Sequence, residues 1–176
     1  MTGSKLGPSL TVRKRAQRES CMTWHCAAVG QPLHVNWTVL ERLREHRQIR
    51  MRDFEAGGQL FGTVTSDSVS IVRATGPYAK DQRSRYLYRS NPIEAQRTIN
   101  ALATEGLLFL GEWHTHAEAT PDASAADIKT MALLNEHSKT NVSSLFLLIV
   151  GYASLPNGIA VYSTSGANLQ RWDTSE

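Results

Sequence analysis

His114 and His116 stand one residue apart, just beyond the apolar run Leu107 to Leu110. On an extended chain, residues i and i+2 point to the same side, so both imidazoles can converge on one ion. Imidazole suits zinc, and a catalytic zinc takes three protein ligands with a fourth position open to water. Seven residues separate His116 from Ser124, and two separate Ser124 from Asp127. Asp127 is the best third ligand, because a loop through Thr120-Pro121-Asp122 can bring it back to the histidines from the first turn of a following helix. Ser124-Ala-Ala-Asp127 is also the pattern of a capping box before an apolar helix. The two readings coexist, since a capping Ser124 fixes where Asp127 points. Glu112 and Asp122 are competing carboxylates, and spacing puts Glu112 on the strand face of His114.

Zinc brings the pKa of a bound water toward neutrality. Cleaving an amide also needs a base that takes the water proton and returns it to the leaving amine. Glu55, just before Gly57 and Gly58 at an expected strand start, is the candidate. It is distant from the histidines in sequence, and a glutamate in that position is also an ordinary surface residue.

The elements that must position these groups follow from pattern. Asn36 can cap a helix running to about Arg50, with Val39, Leu40 and Leu43 inward. Arg42, Arg44, Arg47 and Arg50 lie mostly on its other face and read as solvated. Leu60–Thr65 and Val69–Ala74 read as paired strands turned by Ser66-Asp67-Ser68, and Gly57 and Gly58 allow close backbone approach. Gly76 to Arg89 reads as a solvated connection ending in a short strand at Tyr86 to Tyr88, with arginines and tyrosines that can also meet a partner. Ser90 or Asn91 before Pro92 starts a helix that Gly106 ends, leading into the buried strand Leu107–Leu110. Ala125–Ser138 is a further helix, and Leu145–Tyr152 and Ile159–Ser163 are strands. The expected fold is α/β or α+β, a single domain in which helices flank a mixed sheet.

A chain of 176 residues can bury a sizeable core without staples. No apolar run reaches membrane-spanning length. Lys5, Arg13, Lys14, Arg15 and Arg18 against Glu19 supply more than the whole net charge of +3. The basic character therefore belongs to the N-terminal segment and argues against nucleic-acid binding by the folded part. Residues 1–26 are expected to form a disordered leader, 27–166 the domain, and 167–176 a tail docked by Leu169 and Trp172. Two cysteines, Cys21 and Cys26, without a secretory h-region, point to free thiols in a reducing cytoplasm. With His25 they offer three ligands where a closed zinc site takes four.

Together, Glu55-x-Gly-Gly-x-Leu-Phe-Gly62 and His114-x-His116-x7-Ser124-x2-Asp127 resemble the two-part signature of the JAMM metalloproteases, also called JAB or MPN-plus. The resemblance spans roughly Leu33 to Ser165. It implies a JAB/MPN-like, cytidine-deaminase-like domain and a zinc isopeptidase with one Zn2+ per chain. His114, His116 and Asp127 would be its ligands, Glu55 its general base and later acid, and Ser124 the donor that steadies the oxyanion. Many members carry proline after the second histidine; this chain has Ala117, which should loosen the loop. The implied substrate is a protein conjugated through its C-terminus, either a ubiquitin-like modifier or a cGAS-like nucleotidyltransferase. Gly111-Glu-Trp-His-Thr-His116 and the Gly76–Arg89 loop are similar to the deconjugating peptidases of CBASS anti-phage operons. Alternatives are a bacterial JAB peptidase that processes ubiquitin-like or sulfur-carrier proteins, and a non-catalytic MPN-type binding module.

Overall fold

The computed structural model describes residues 21–139 and 142–174. Ten strands and three helices follow in the order β1 (Cys21–His25), β2 (Leu33–Asn36), α1 (Trp37–Glu45), β3 (Gly57–Val64), β4 (Val69–Ala74), β5 (Gln82–Ser84) and β6 (Leu87–Arg89). Then come α2 (Pro92–Thr104), β7 (Leu108–Thr115), α3 (Ala125–His137), β8 (Phe146–Val150), β9 (Ile159–Ser165) and β10 (Asn168–Thr174). The fold is a mixed α+β arrangement as expected, but its main sheet closes on itself. The strand order around the barrel is β1-β10-β9-β8-β7-β3-β4-β2, while β5 and β6 form a separate two-stranded sheet.

Closure corrects both expected domain boundaries. The segment 21–25, assigned to a leader, is β1 and pairs with both β2 and β10. The expected tail contains β10, antiparallel to β9. Both strands carry a buried tryptophan, Trp24 and Trp172, which the core holds in place. The Trp172 indole donates to Ser163 Oγ at 2.9 Å, which settles its one buried donor. The basic segment 1–20 lies outside the described residues.

Alternation sorts the apolar residues into two cores. On β8, Phe146, Leu148 and Val150 face the main core with Leu33, Val35 and Trp24, whereas Leu147 and Ile149 face a second cluster with Met131 of α3. Burial on both faces is why this strand is a continuous apolar run. Helix α1 adds Val39, Leu40 and Leu43 to the main core. It ends at Glu45 rather than Arg50, because the Asp53 carboxylate accepts from the amides of Ile49 and Arg50 and offers the backbone a turn instead. The arginine face is not wholly solvated: Arg42 donates to Gly76 O at 2.7 Å and Arg47 to Tyr152 O at 3.3 Å. Asn36 sits at the N-cap without a side-chain cap bond, while Asn91 caps α2 by accepting from Ile93 and Glu94.

Strand β7 changes phase in its middle. Leu60 pairs with Gly111 and Phe61 with Phe109, so Leu110 is an extra residue, a β-bulge. Leu108 and Leu110 face the main core, yet so does Trp113, three positions on. Gly111 has φ 137°, and a Cβ there would overlap the carbonyl oxygen of Phe146 on β8. Only glycine meets both demands. Gly58 likewise packs against the Thr75 carbonyl with no room for a Cβ, as its expected close approach requires.

Gly111→Ala is expected to destabilise the chain by at least about 2 kcal/mol, from left-handed strain and overpacking together. Denaturant melts read the stability, and an unchanged midpoint would sink the bulge argument.

Candidate metal centre

The phase change at Gly111 sets which residues of β7 look outward. Past it, Trp113 and Thr115 turn inward and are fully buried, while Glu112, His114 and His116 line a groove of about 1010 Å³. The groove runs between α2 and α3, with β6 along its rim.

Three of the predicted residues converge there. His114 Nε2 lies 3.0 Å from His116 Nε2 and 3.2 Å from Asp127 Oδ1, and His116 Nε2 lies 3.5 Å from Asp127 Oδ2. A tetrahedral ion bonded at about 2.0–2.1 Å sets its ligand atoms about 3.3 Å apart. The donor set is of the type zinc takes, and one ligand atom from each residue lies within 4.8 Å of the others. Among the described residues it is the one cluster of three or more His, Cys, Asp or Glu side chains able to hold a metal. Cys21 and Cys26 lie outside it and form no disulfide.

Ser124 and Asp127 form the expected capping box, with Asp127 beside both histidines. The Asp127 amide donates to Ser124 Oγ at 3.2 Å, and Asp127 Oδ2 accepts from the Ser124 amide at 2.7 Å and from its hydroxyl at 2.6 Å. The capping box thus starts α3 and aims Asp127 at the histidines. Burial opposes the Asp127 charge, but hydrogen bonding and charge from His114, with the Ser124 bonds, hold its carboxyl well below the usual range. Burial, and then the charge of His114, lowers the His116 pKa, favouring the neutral imidazole a metal requires. Glu118 lies 3.8 Å from His116 Nδ1, on the side where an outer carboxylate orients a ligating ring.

Glu55 reaches the same groove. The next residue is tied to β7: the Ala56 amide donates to Thr115 Oγ1 at 3.0 Å and the Thr115 amide to Ala56 O at 2.8 Å. Gly57 is paired with His114. Glu55 is 9% exposed, and burial raises its pKa to about 7, with His114 opposing and Asp127 adding to the rise. A group poised there suits proton transfer at neutral pH.

The competing carboxylates take other places. Glu112 is on the groove floor, 3.5 Å from Gln59 Nε2, and burial raises its pKa. Asp122 is held by the Tyr162 hydroxyl and, at 3.3 Å, by Arg171. The supporting partners Gln48, Thr115 and Tyr162 carry no spacing signal in the sequence, because their contacts join residues far apart in the chain, whereas Glu118 stands only two residues after His116. The polar connection 76–89 holds the β5–β6 hairpin, in which Asp81 accepts from the Tyr78 and Asn91 amides and the Tyr88 hydroxyl.

The raised Glu55 pKa carries a stability cost above neutrality. Its folded pKa exceeds the unfolded one, so its contribution is intact below the unfolded value and is lost as pH rises through about 7. In chelator-treated protein, Glu55→Gln is expected to stabilise by roughly 3 kcal/mol near pH 8.5 and to change little near pH 4. Urea melts at the two pH values test this; a pH-independent difference contradicts it.

Comparison with known proteins agrees with this geometry. The family model described as prokaryotic homologs of the JAB domain matches residues 38–172. A Pseudomonas aeruginosa protein named CD-NTase/cGAS isopeptidase is 42% identical over 98 residues, 54% of this chain and 62% of that protein. Proteins of the same name from Escherichia coli and Vibrio cholerae are each 31% identical, over 64% of this chain and 72% of theirs. The chain thus spans somewhat under two thirds of the Pseudomonas relative's length. The solution structure of a Desulfitobacterium hafniense protein has the same fold, with a TM-score of 0.57 at 20% identity, covering 78% of this chain and 87% of that one. With a family match over most of its length and the motif residues gathered at one groove, the chain belongs to the prokaryotic homologues of the JAB domain.

Proposed function

We propose that the chain is a zinc-dependent isopeptidase. It would cut after the C-terminal residue of a conjugated protein and release a cGAS-like nucleotidyltransferase in a cytoplasmic CBASS defence system. The observation that carries the reading is the gathering of His114, His116 and Asp127, with one ligand atom from each within 4.8 Å of the others, in a groove that also holds Glu55. The names of the Pseudomonas, Escherichia and Vibrio relatives support the substrate class. No helix among the described residues is long and apolar enough to cross a membrane.

His114, His116 and Asp127 would hold the zinc, which when bound supplies a Lewis acid and acidifies a water. Glu55, with its pKa about 7, accepts the water proton and later delivers it to the leaving amine. Ser124, whose hydroxyl here donates to Asp127 Oδ2, would turn that one donor to the developing oxyanion. Ala95 and Ile99 of α2 and Leu133 and Leu134 of α3 add apolar lining to the groove. Such walls suit an extended C-terminal peptide and keep water from it.

The parent chain is expected to carry one zinc and to cleave a nucleotidyltransferase bearing a C-terminal amide-linked extension. Glu55→Ala should keep the zinc and lose cleavage by about 10²-fold or more, whereas His114→Ala should lose the metal. Metal analysis and a gel-based cleavage assay read both. Retained cleavage in Glu55→Ala removes Glu55 from the mechanism, and a parent chain that binds no zinc overturns the whole reading.

A further inference from the structure

Both peptide groups of Glu55 are engaged by β5. The Glu55 amide donates to Ser84 O at 2.7 Å, and the Arg83 guanidinium Nε donates to Glu55 O at 2.6 Å. On either side the chain is held by other elements: Gln48 Nε2 donates to Asp53 O at 3.2 Å, and Ala56 is tied to Thr115. The residue that carries the groove carboxylate is therefore held from two sides, by the barrel through the Ala56 N–H and by the hairpin through its own N–H and C=O.

We propose that Arg83 is a positioning residue for Glu55, holding its backbone so that the carboxylate faces the donor cluster. The inference rests on the reading of Glu55 as general base. Its physical ground is the kind of bond. A charged donor to a carbonyl is stronger than a neutral one, and 2.6 Å is short for such a contact. The two-stranded sheet β5–β6 is separate from the barrel, and a hairpin of that size is marginal alone. Other contacts also hold it: Arg85 donates to Arg50 O and Met51 O, and Gln48 to Arg85 O. Removing the Arg83 side chain therefore leaves hairpin and barrel standing and frees one residue. Arg83 touches neither substrate nor metal in this role. Its effect is geometric, and a displacement of about 1 Å at a reacting group costs up to about 10²-fold in rate.

The experiment compares the full-length parent, Arg83→Met and Arg83→Lys, each loaded with zinc, on the nucleotidyltransferase conjugate. Arg83→Met is expected to lose about tenfold in kcat with KM within about twofold and zinc content unchanged. Arg83→Lys, which keeps a cationic donor, should recover most of the loss. Hydrogen exchange on the metal-free chains supplies a readout independent of turnover: the Glu55 amide should exchange faster in Arg83→Met, while the Leu60 amide in β3 stays protected. A parent that cleaves beside an Arg83→Met variant with unchanged kcat and unchanged Glu55 exchange overturns the Arg83 assignment alone. Faster exchange spread over β3 as well, with no recovery in Arg83→Lys, means a general structural role and also overturns it. A zinc-loaded parent that cleaves no conjugate overturns the function and, with it, this inference.

Discussion

The extra residue in β7 is the constraint on which the groove depends. A regular strand that buried Leu110 would bury position 112 and send 113 outward, which would point His114 and His116 into the barrel. The bulge opposite Leu60 and Phe61 shifts that pattern by one. Leu110 and Trp113 then share the interior, and Glu112, His114 and His116 share the groove. Strand β8 fixes the position of the shift, because Gly111 lies against Phe146 with no space for a side chain. Closure contributes as well. Each barrel strand is paired on both sides, so β7 cannot slip without breaking its ladders to β3 and β8.

With the phase set, burial pushes the pKa of both Glu55 and Asp127 upward, and their partners decide the outcome. Glu55 has little besides His114 to offset desolvation, and its pKa climbs to about 7. Asp127 is also desolvated, but it accepts hydrogen bonds from Ser124 and lies against both histidines, so it stays ionised. Two carboxyls pushed apart in this way divide the work of proton carrier and permanent anion. The same capping box that makes α3 start at Ala125 creates the second environment. One local motif thus serves the helix and the site.

Short-range chemistry was legible in the sequence and closure was not. The helix starts at Asn91 and Ser124, the glycine end of α2 and the double-faced strand β8 follow from neighbours a few residues apart. The donor set His114, His116 and Asp127 could be named because one strand, one loop and one helix turn carry it. The place of Glu55 could not be argued from spacing, since it depends on pairing between β3 and β7 across more than fifty residues. The two barrel-closing strands were hidden for another reason. β1 follows a basic segment and β10 is mostly exposed, so each reads as a terminus until Trp24 and Trp172 are seen in one core. The hairpin β5–β6 was hidden by polarity: its side chains bind Glu55 O and Asp81 rather than an apolar layer.

The loop after His116 shows how the barrel replaces a local restraint. Ala117 stands where a proline would stiffen the backbone. Here the stiffness comes from across the structure. The amides of Tyr152 and Ala153 donate to Glu118 O and Ala119 O at 2.8 and 3.0 Å, and Gly151 lets the loop lie against the end of β8. Tyr162 and Arg171, from β9 and β10, hold Asp122 at the far end. The loop that spaces His116 from Ser124 is therefore held at both ends by the closing strands and their turn. A tail at 167–176 could not have done this. Because β10 is part of the barrel, Arg171 is fixed well enough to hold the loop that returns Asp127 to the histidines.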